Sequence, residues 1–141
     1  MRHQKVKRFF TLLAIFSFFT LTALPAIAGE FGDLKVKISD ARDSIVTMLK
    51  NKDKRGADQQ KLVKDTADAV SAMLAKMKAP AGKEAKFKEL VDTWTAFKKT
   101  RETELVPLIL SGKQDDAEKL AGGIQKERFQ KIMGLVDELG K

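Results

Sequence analysis

Apolar residues recur along this chain at helical spacing. Phe31, Leu34, Ile38, Ala41, Ile45 and Met48 stand three or four apart, the repeat that keeps one side of an α-helix against its neighbours. It predicts a first helix with a single buried seam of heptad type. Asp33 is the expected N-cap, since a carboxylate there can accept from the free amides of the first turn. The charged stretch Asn51 to Gly56 then reads as a connection. A second helix is predicted from Asp58 to Lys78, with Val63, Thr66, Val70, Met73 and Met77 along its seam and Leu62, Ala69 and Leu74 widening the stripe. Ala79 to Gly82 ends it, because Pro80 has no amide to donate.

A third helix is predicted from Lys83 to Leu110, with Phe87, Leu90, Trp94, Phe97 and Arg101 on one seam and Leu105, Leu108 and Ile109 continuing the apolar side. Pro107 falls where an unbroken helix needs an amide, so a kink or a one-residue irregularity is expected one turn earlier. Gly112 suits the residue just past the end of this helix. Asp115 and Asp116 then place negative charge on the first turn of a fourth helix, which runs on through Ala117, Leu120, Ala121, Ile124, Phe129, Ile132, Val136 and Leu139. Gly122 and Gly123 interrupt it, at a cost of up to about 1 kcal/mol each relative to alanine; such a pair marks flexibility or a close helix contact. Four amphipathic helices of roughly 20 to 28 residues with short links imply an all-α fold, an antiparallel up-down-up-down four-helix bundle. Glu84–Lys88, Asp115–Lys119 and Glu127–Lys131 stand four apart and are expected to pair on outer faces.

The first 28 residues do not share this pattern. Arg2, Lys5, Lys7 and Arg8 precede an apolar run from Phe9 to Leu24, and Ala26, Ile27 and Ala28 supply small residues before a cut, the form of a secretory signal peptide. Residues 1–28 are therefore read as a leader and 29–141 as the bundle domain, in a periplasmic or secreted protein. An uncleaved anchor is the rival, since Phe9 to Ile27 approaches the length that crosses a bilayer; Pro25 and the Ala-Ile-Ala ending favour cleavage. The leader carries four of the 27 cations and none of the 19 anions. Without it, 23 cations face 19 anions, a net of +4, interspersed along the helices. That distribution argues for solvated faces, no nucleic-acid stripe, and no membrane association after cleavage.

Chemistry is sparse. The one histidine, His3, lies in the leader and there is no cysteine, which removes imidazole and thiolate ligands, Cys or His catalysis and disulfides from residues 29–141. No glycine-rich phosphate loop or nucleophile elbow is present. Met48, Met73, Met77 and Met133 offer soft ligands for copper(I), but scattered methionines are ordinary fillers of helical cores. No enzyme activity, cofactor or metal site is expected. Trp94 and Phe97 carry two readings, core filling or an aromatic lining for a ligand between helices. Arg101, on the same seam, needs a carboxylate such as Asp40, Asp43 or Asp137, a route to water, or a bound anion.

Trp94-x-x-Phe97-x-x-x-Arg101, then Ser111-Gly112-Lys113 and Asp115-Asp116-Ala117-x-x-Leu120, resembles the third and fourth helices of the four-helix-bundle ligand-binding domain of methyl-accepting chemotaxis receptors. More loosely the likeness spans Phe31 to Leu139. The resemblance implies a sensor-type module that binds a small molecule or a periplasmic protein partner, with Trp94, Phe97 and Arg101 as candidate ligand-binding residues and a homodimer as a further expectation. Family members continue into a second membrane span and a cytoplasmic signalling coiled coil, whereas this sequence ends at Lys141, so the expectation is a detached exported version. Pro107 departs from the family pattern. The alternative is a resemblance to periplasmic four-helix cytochromes, as a haem-free structural or electron-transfer-type bundle; residues 29–141 hold neither the axial histidine nor the Cys-x-x-Cys-His of that group.

Overall fold

The computed structural model describes residues 24–141, and all regular structure among them is helical. The leader reading of residues 1–28 lies outside the described residues except for Leu24 to Ala28, which begin the first helix. Six α-helices and one π-helical turn make four rods: α1 (Leu24–Lys50), α2 (Ala57–Lys76), a third rod of α3 (Glu84–Thr100), the π turn (Arg101–Leu105) and α4 (Val106–Leu110), and a fourth of α5 (Gln114–Gly122) and α6 (Ile124–Leu139). No described helix is long and apolar enough to cross a membrane.

Asp33 is not an N-cap, because α1 already runs through it from Leu24. The seam extends one turn further back than expected: Ile27 packs against the core cluster that includes Phe31 and Leu34. This added apolar contact carries the helix past Gly29 and Gly32.

The third rod contains the irregularity that Pro107 predicts. At the π turn the Val106 amide donates to the Arg101 carbonyl, five residues back. The widened turn solves a register problem as well as a hydrogen-bonding one. The buried residues Phe97, Arg101, Leu105 and Ile109 are all four apart, and each step of four in a regular helix overshoots a full turn by about 40°. Over three steps the stripe would drift by about 120°, more than one residue's rotation. One extra residue in a π turn takes up most of that drift, so Ile109 stays buried beneath the same seam as Phe97.

The third rod ends as its glycine requires. Gly112 has φ +75°, its amide donates to the Ile109 carbonyl at 3.2 Å, and the Lys113 amide donates to the Leu108 carbonyl at 3.0 Å. These two bonds form a Schellman motif and satisfy carbonyls that the helix end leaves free. Gly123 separates α5 from α6. A Cβ there would lie 2.9 Å from the Lys119 carbonyl oxygen, whereas one at Gly122 would meet nothing within 4 Å, so Gly123 alone marks a close backbone approach.

Rods pack most closely in pairs, α1 with α2 and α3 with α6, while α2 and α3 touch sparsely. Two apolar clusters fill the interior. The larger includes Phe31, Leu34, Ile38, Val70, Leu90, Trp94, Phe97, Ile132 and Leu139; the smaller includes Ile45, Met48, Leu49, Val63, Leu105, Ile109 and Ala117. Burying each large side chain contributes about 1.5–3 kcal/mol.

Arg55, in the α1–α2 connection, fastens the second cluster's end. Its guanidinium donates to the carbonyls of Met48 (3.1 Å), Leu49 (3.0 Å) and Ile109 (3.0 Å) and to Gln114 Oε1 (2.7 Å). One side chain thereby satisfies carbonyls at two helix ends and holds the start of α5 beside them.

The expected outer-face pairs do not form. Glu84 instead accepts from the Gly82 amide at 3.1 Å, Lys88 pairs with Asp92 at 2.5 Å, and Lys131 reaches across to Glu89 on α3 at 2.6 Å. Asp115–Lys119 is not among the ion pairs of the described residues. At the start of α3 a backbone amide takes the place of the lysine as the partner of Glu84.

Candidate functional site

A layer of polar side chains lies between the two apolar clusters, centred on Arg101. This residue is fully buried. It donates to the Ala41 carbonyl of α1, to the Val63 carbonyl of α2 at 2.6 Å and to Ser44 Oγ at 3.1 Å. Ser44 Oγ lies 3.0 Å from Thr66 Oγ1, and the Gln59 amide donates to the Ser44 carbonyl at 2.6 Å. None of the candidate acids Asp40, Asp43 and Asp137 is its partner: Asp43 pairs with Arg42 at 3.1 Å and Asp137 with Lys35 at 2.6 Å. The π turn sets Arg101 opposite the α1–α2 crossing, where backbone oxygens rather than carboxylates are in reach.

The guanidinium therefore donates to carbonyl and hydroxyl dipoles alone, with no ion pair. Burial pushes the guanidinium down to about 10, opposed by neighbouring Glu102, so it is charged at neutral pH. Its Nε–H has no acceptor, the one buried side-chain polar atom among the described residues left so. A buried donor without a partner costs about 1–3 kcal/mol.

A cleft of about 490 Å³ opens beside this layer, within the range of small-molecule sites. One wall is α1, with Arg42, Ile45, Val46, Leu49 and Lys50; Phe97, Arg101 and Leu105 of the third rod also line it. The other wall is the fourth rod around its glycine break: Glu118, Ala121 and Gly122 from α5, and Gln125, Lys126, Phe129 and Gln130 from α6. Gly122 contributes only backbone to that wall.

Most of the lining is apolar, and its polar groups are mainly cationic. Arg42 lies 5.2 Å from the centroid of the Phe129 ring, a cation–π contact. Buried Gln125 donates to the Phe97 carbonyl at 3.0 Å, and Arg128 donates to Thr100 Oγ1 at 2.7 Å; these bonds lock α6 onto α3 just before the π turn. Lys50 and Lys126 form no ion pair among the described residues, and Glu118, the single acid in the lining, already accepts from Gln114 at 2.7 Å.

The three residues singled out from sequence separate here. Trp94 belongs to the larger core cluster, its indole N–H donating to Ser71 Oγ at 2.9 Å, and it does not line the cleft. Phe97 and Arg101 do. Phe97 sits between Trp94 and Phe129, with ring centroids 5.5 and 6.5 Å away. Sequence reasoning missed Arg42, Ser44, Gln125 and Lys126. The available signal was polar: Ser44 and Gln125 fall next to seam positions, where a hydroxyl or amide has to be hydrogen-bonded to be buried.

Met48 and Met77 are buried in the core, and no group of three or more His, Cys, Asp or Glu side chains among the described residues is placed to hold a metal ion. Fold and cleft define the class, an all-α four-helix protein with a polar layer dividing its core. No family model, curated protein or solved structure matches the chain significantly.

Proposed function

We propose that this protein is a non-enzymatic, exported sensor-type module, an antiparallel up-down-up-down bundle that binds a small molecule in the cleft between α1 and the α5–α6 rod. One observation carries the reading: a fully buried arginine without a carboxylate partner lines a cleft of small-molecule size. The antiparallel order is supported by contacts at the rod ends, where Phe31 meets Phe87 and Gly140 while Arg55 joins the far end of α1 to Ile109 and Gln114. Export is supported by the leader pattern of residues 1–28. The resemblance to chemoreceptor sensor domains supports the ligand-binding role and adds a homodimer to it.

A ligand that binds only the folded state raises its stability by mass action, by about 2.7 kcal/mol at a hundred times its Kd. A thermal-shift screen of amino acids, organic acids and aromatic acids on wild type and Arg101→Ala should give at least one compound that raises Tm in wild type only. If no compound shifts wild type, and Arg101→Ala is merely less stable, the cleft and its arginine are structural.

A further inference from the structure

The charge and shape of the cleft define a narrower ligand class. This step rests on the small-molecule reading above. Four of its lining side chains are cationic, Arg42, Lys50, Arg101 and Lys126, and Glu118 alone is anionic. Lys50 and Lys126 have no carboxylate partner among the described residues, and neither has Arg101, which lies deepest. Between these groups the surface is apolar and aromatic, with Ile45, Leu49, Leu105, Phe97 and Phe129. We infer that the cleft takes a small amphipathic carboxylic acid, its apolar body against Phe97, Phe129 and Leu49 and its carboxylate among the cations of the cleft.

Two physical reasons favour an acid over a neutral compound of the same shape. A buried cation held only by carbonyl and hydroxyl dipoles gains from a nearby anion, because the low dielectric that made its burial costly also strengthens the attraction. Lysines at the mouth add a longer-range attraction that steers an anion inward. A purely apolar ligand would leave the cations as they are.

Matched probes separate the two parts of this inference. 4-Phenylbutanoate and 4-phenylbutan-1-ol share a body and differ in the head group. Each is titrated by calorimetry at low salt into wild type, Lys50→Gln/Lys126→Gln and Arg101→Met. The acid should bind wild type at least tenfold more tightly than the alcohol. The lysine pair is exposed, so its replacement leaves the fold intact and should weaken the acid several-fold while leaving the alcohol unchanged; Arg101→Met should remove most of the remaining preference. Equal binding of acid and alcohol overturns the acid class and leaves the small-molecule site standing. Binding of neither overturns both, and an acid preference unaltered in the lysine variant overturns the placement of the carboxylate among these cations.

Discussion

Arg101 spans two α-helices with one side chain and contributes its charge to neither a salt bridge nor the surface. Its bonds to Ala41 and Val63 add to carbonyls that lie inside helices, so they are not needed to satisfy those oxygens. Replacing a buried charge by an apolar side chain of similar length is often neutral or stabilising. Arg101→Met should therefore stay within about 1.5 kcal/mol of wild type in urea unfolding, whereas Arg101→Ala, which leaves a void, should cost about 3 kcal/mol or more. A methionine variant as unstable as the alanine one would make the guanidinium itself a structural necessity. From sequence, the seam position of Arg101 was legible and its partners were not. Sequence spacing points to neighbouring acids, while the interior supplies backbone oxygens, whose positions depend on how α1 crosses α2.

At the scale of elements, the two breaks in the long rods have different causes. The third rod widens because Pro107 lacks an amide and because four buried residues follow one another at intervals of four. Both signals stand in the sequence, and the irregularity appears one turn before the proline, as expected. The fourth rod breaks at a glycine pair whose members are not equivalent. A Cβ at Gly122 meets nothing within 4 Å, but at Gly123 it would approach the Lys119 carbonyl to 2.9 Å. Gly122→Ala should leave stability unchanged or raise it by up to about 1 kcal/mol, the helix-propensity difference. Gly123→Ala should lower it, since backbone has to move, and chemical denaturation of the two variants compares them directly. The same sign for both would remove close approach as the reason for the second glycine. The helix spans were largely legible because heptad spacing reports them. The extra turns at the start of α1 were not, because the packing of Ile27 depends on the surface it meets.

For the whole molecule, stability is set by apolar burial and nearly independent of pH near neutrality. The described residues include no histidine or cysteine, so no side-chain type among them ordinarily titrates between about pH 5 and 8. Asp68 is held low by hydrogen bonds from Lys64 and then Lys98, Glu138 by Lys86, and Glu84 by its own amide and that of Gly82. A carboxyl lowered on folding adds stability above its unfolded value and loses it as pH falls through the folded one, which places the acid limb below about pH 4.5. Lys64 and Lys98 are raised by Asp68 and Glu102 respectively; their contribution is full below 10.5 and is lost as pH rises through the folded values. Arg101 acts oppositely: burial lowers it to about 10, so its burial penalty eases as pH rises above that value. The urea midpoint should therefore be level from about pH 6 to 8; a step in that interval would reveal a titrating group outside the described residues.

The two-cluster core with a cleft at its polar layer was not legible in the sequence, since it depends on which rods pack closely and which stand apart. The cleft is also the proposed binding site, so the most direct measurement locates binding without assuming a ligand class. Amide NMR spectra of labelled protein, recorded against a small-fragment library, should show the strongest-binding fragments shifting resonances around Ile45, Leu49, Gln125 and Phe129. Fragments that shift only residues elsewhere, such as Val63 and Val106 in the groove between α2 and α4, or a library with no binder at all, would contradict the assignment.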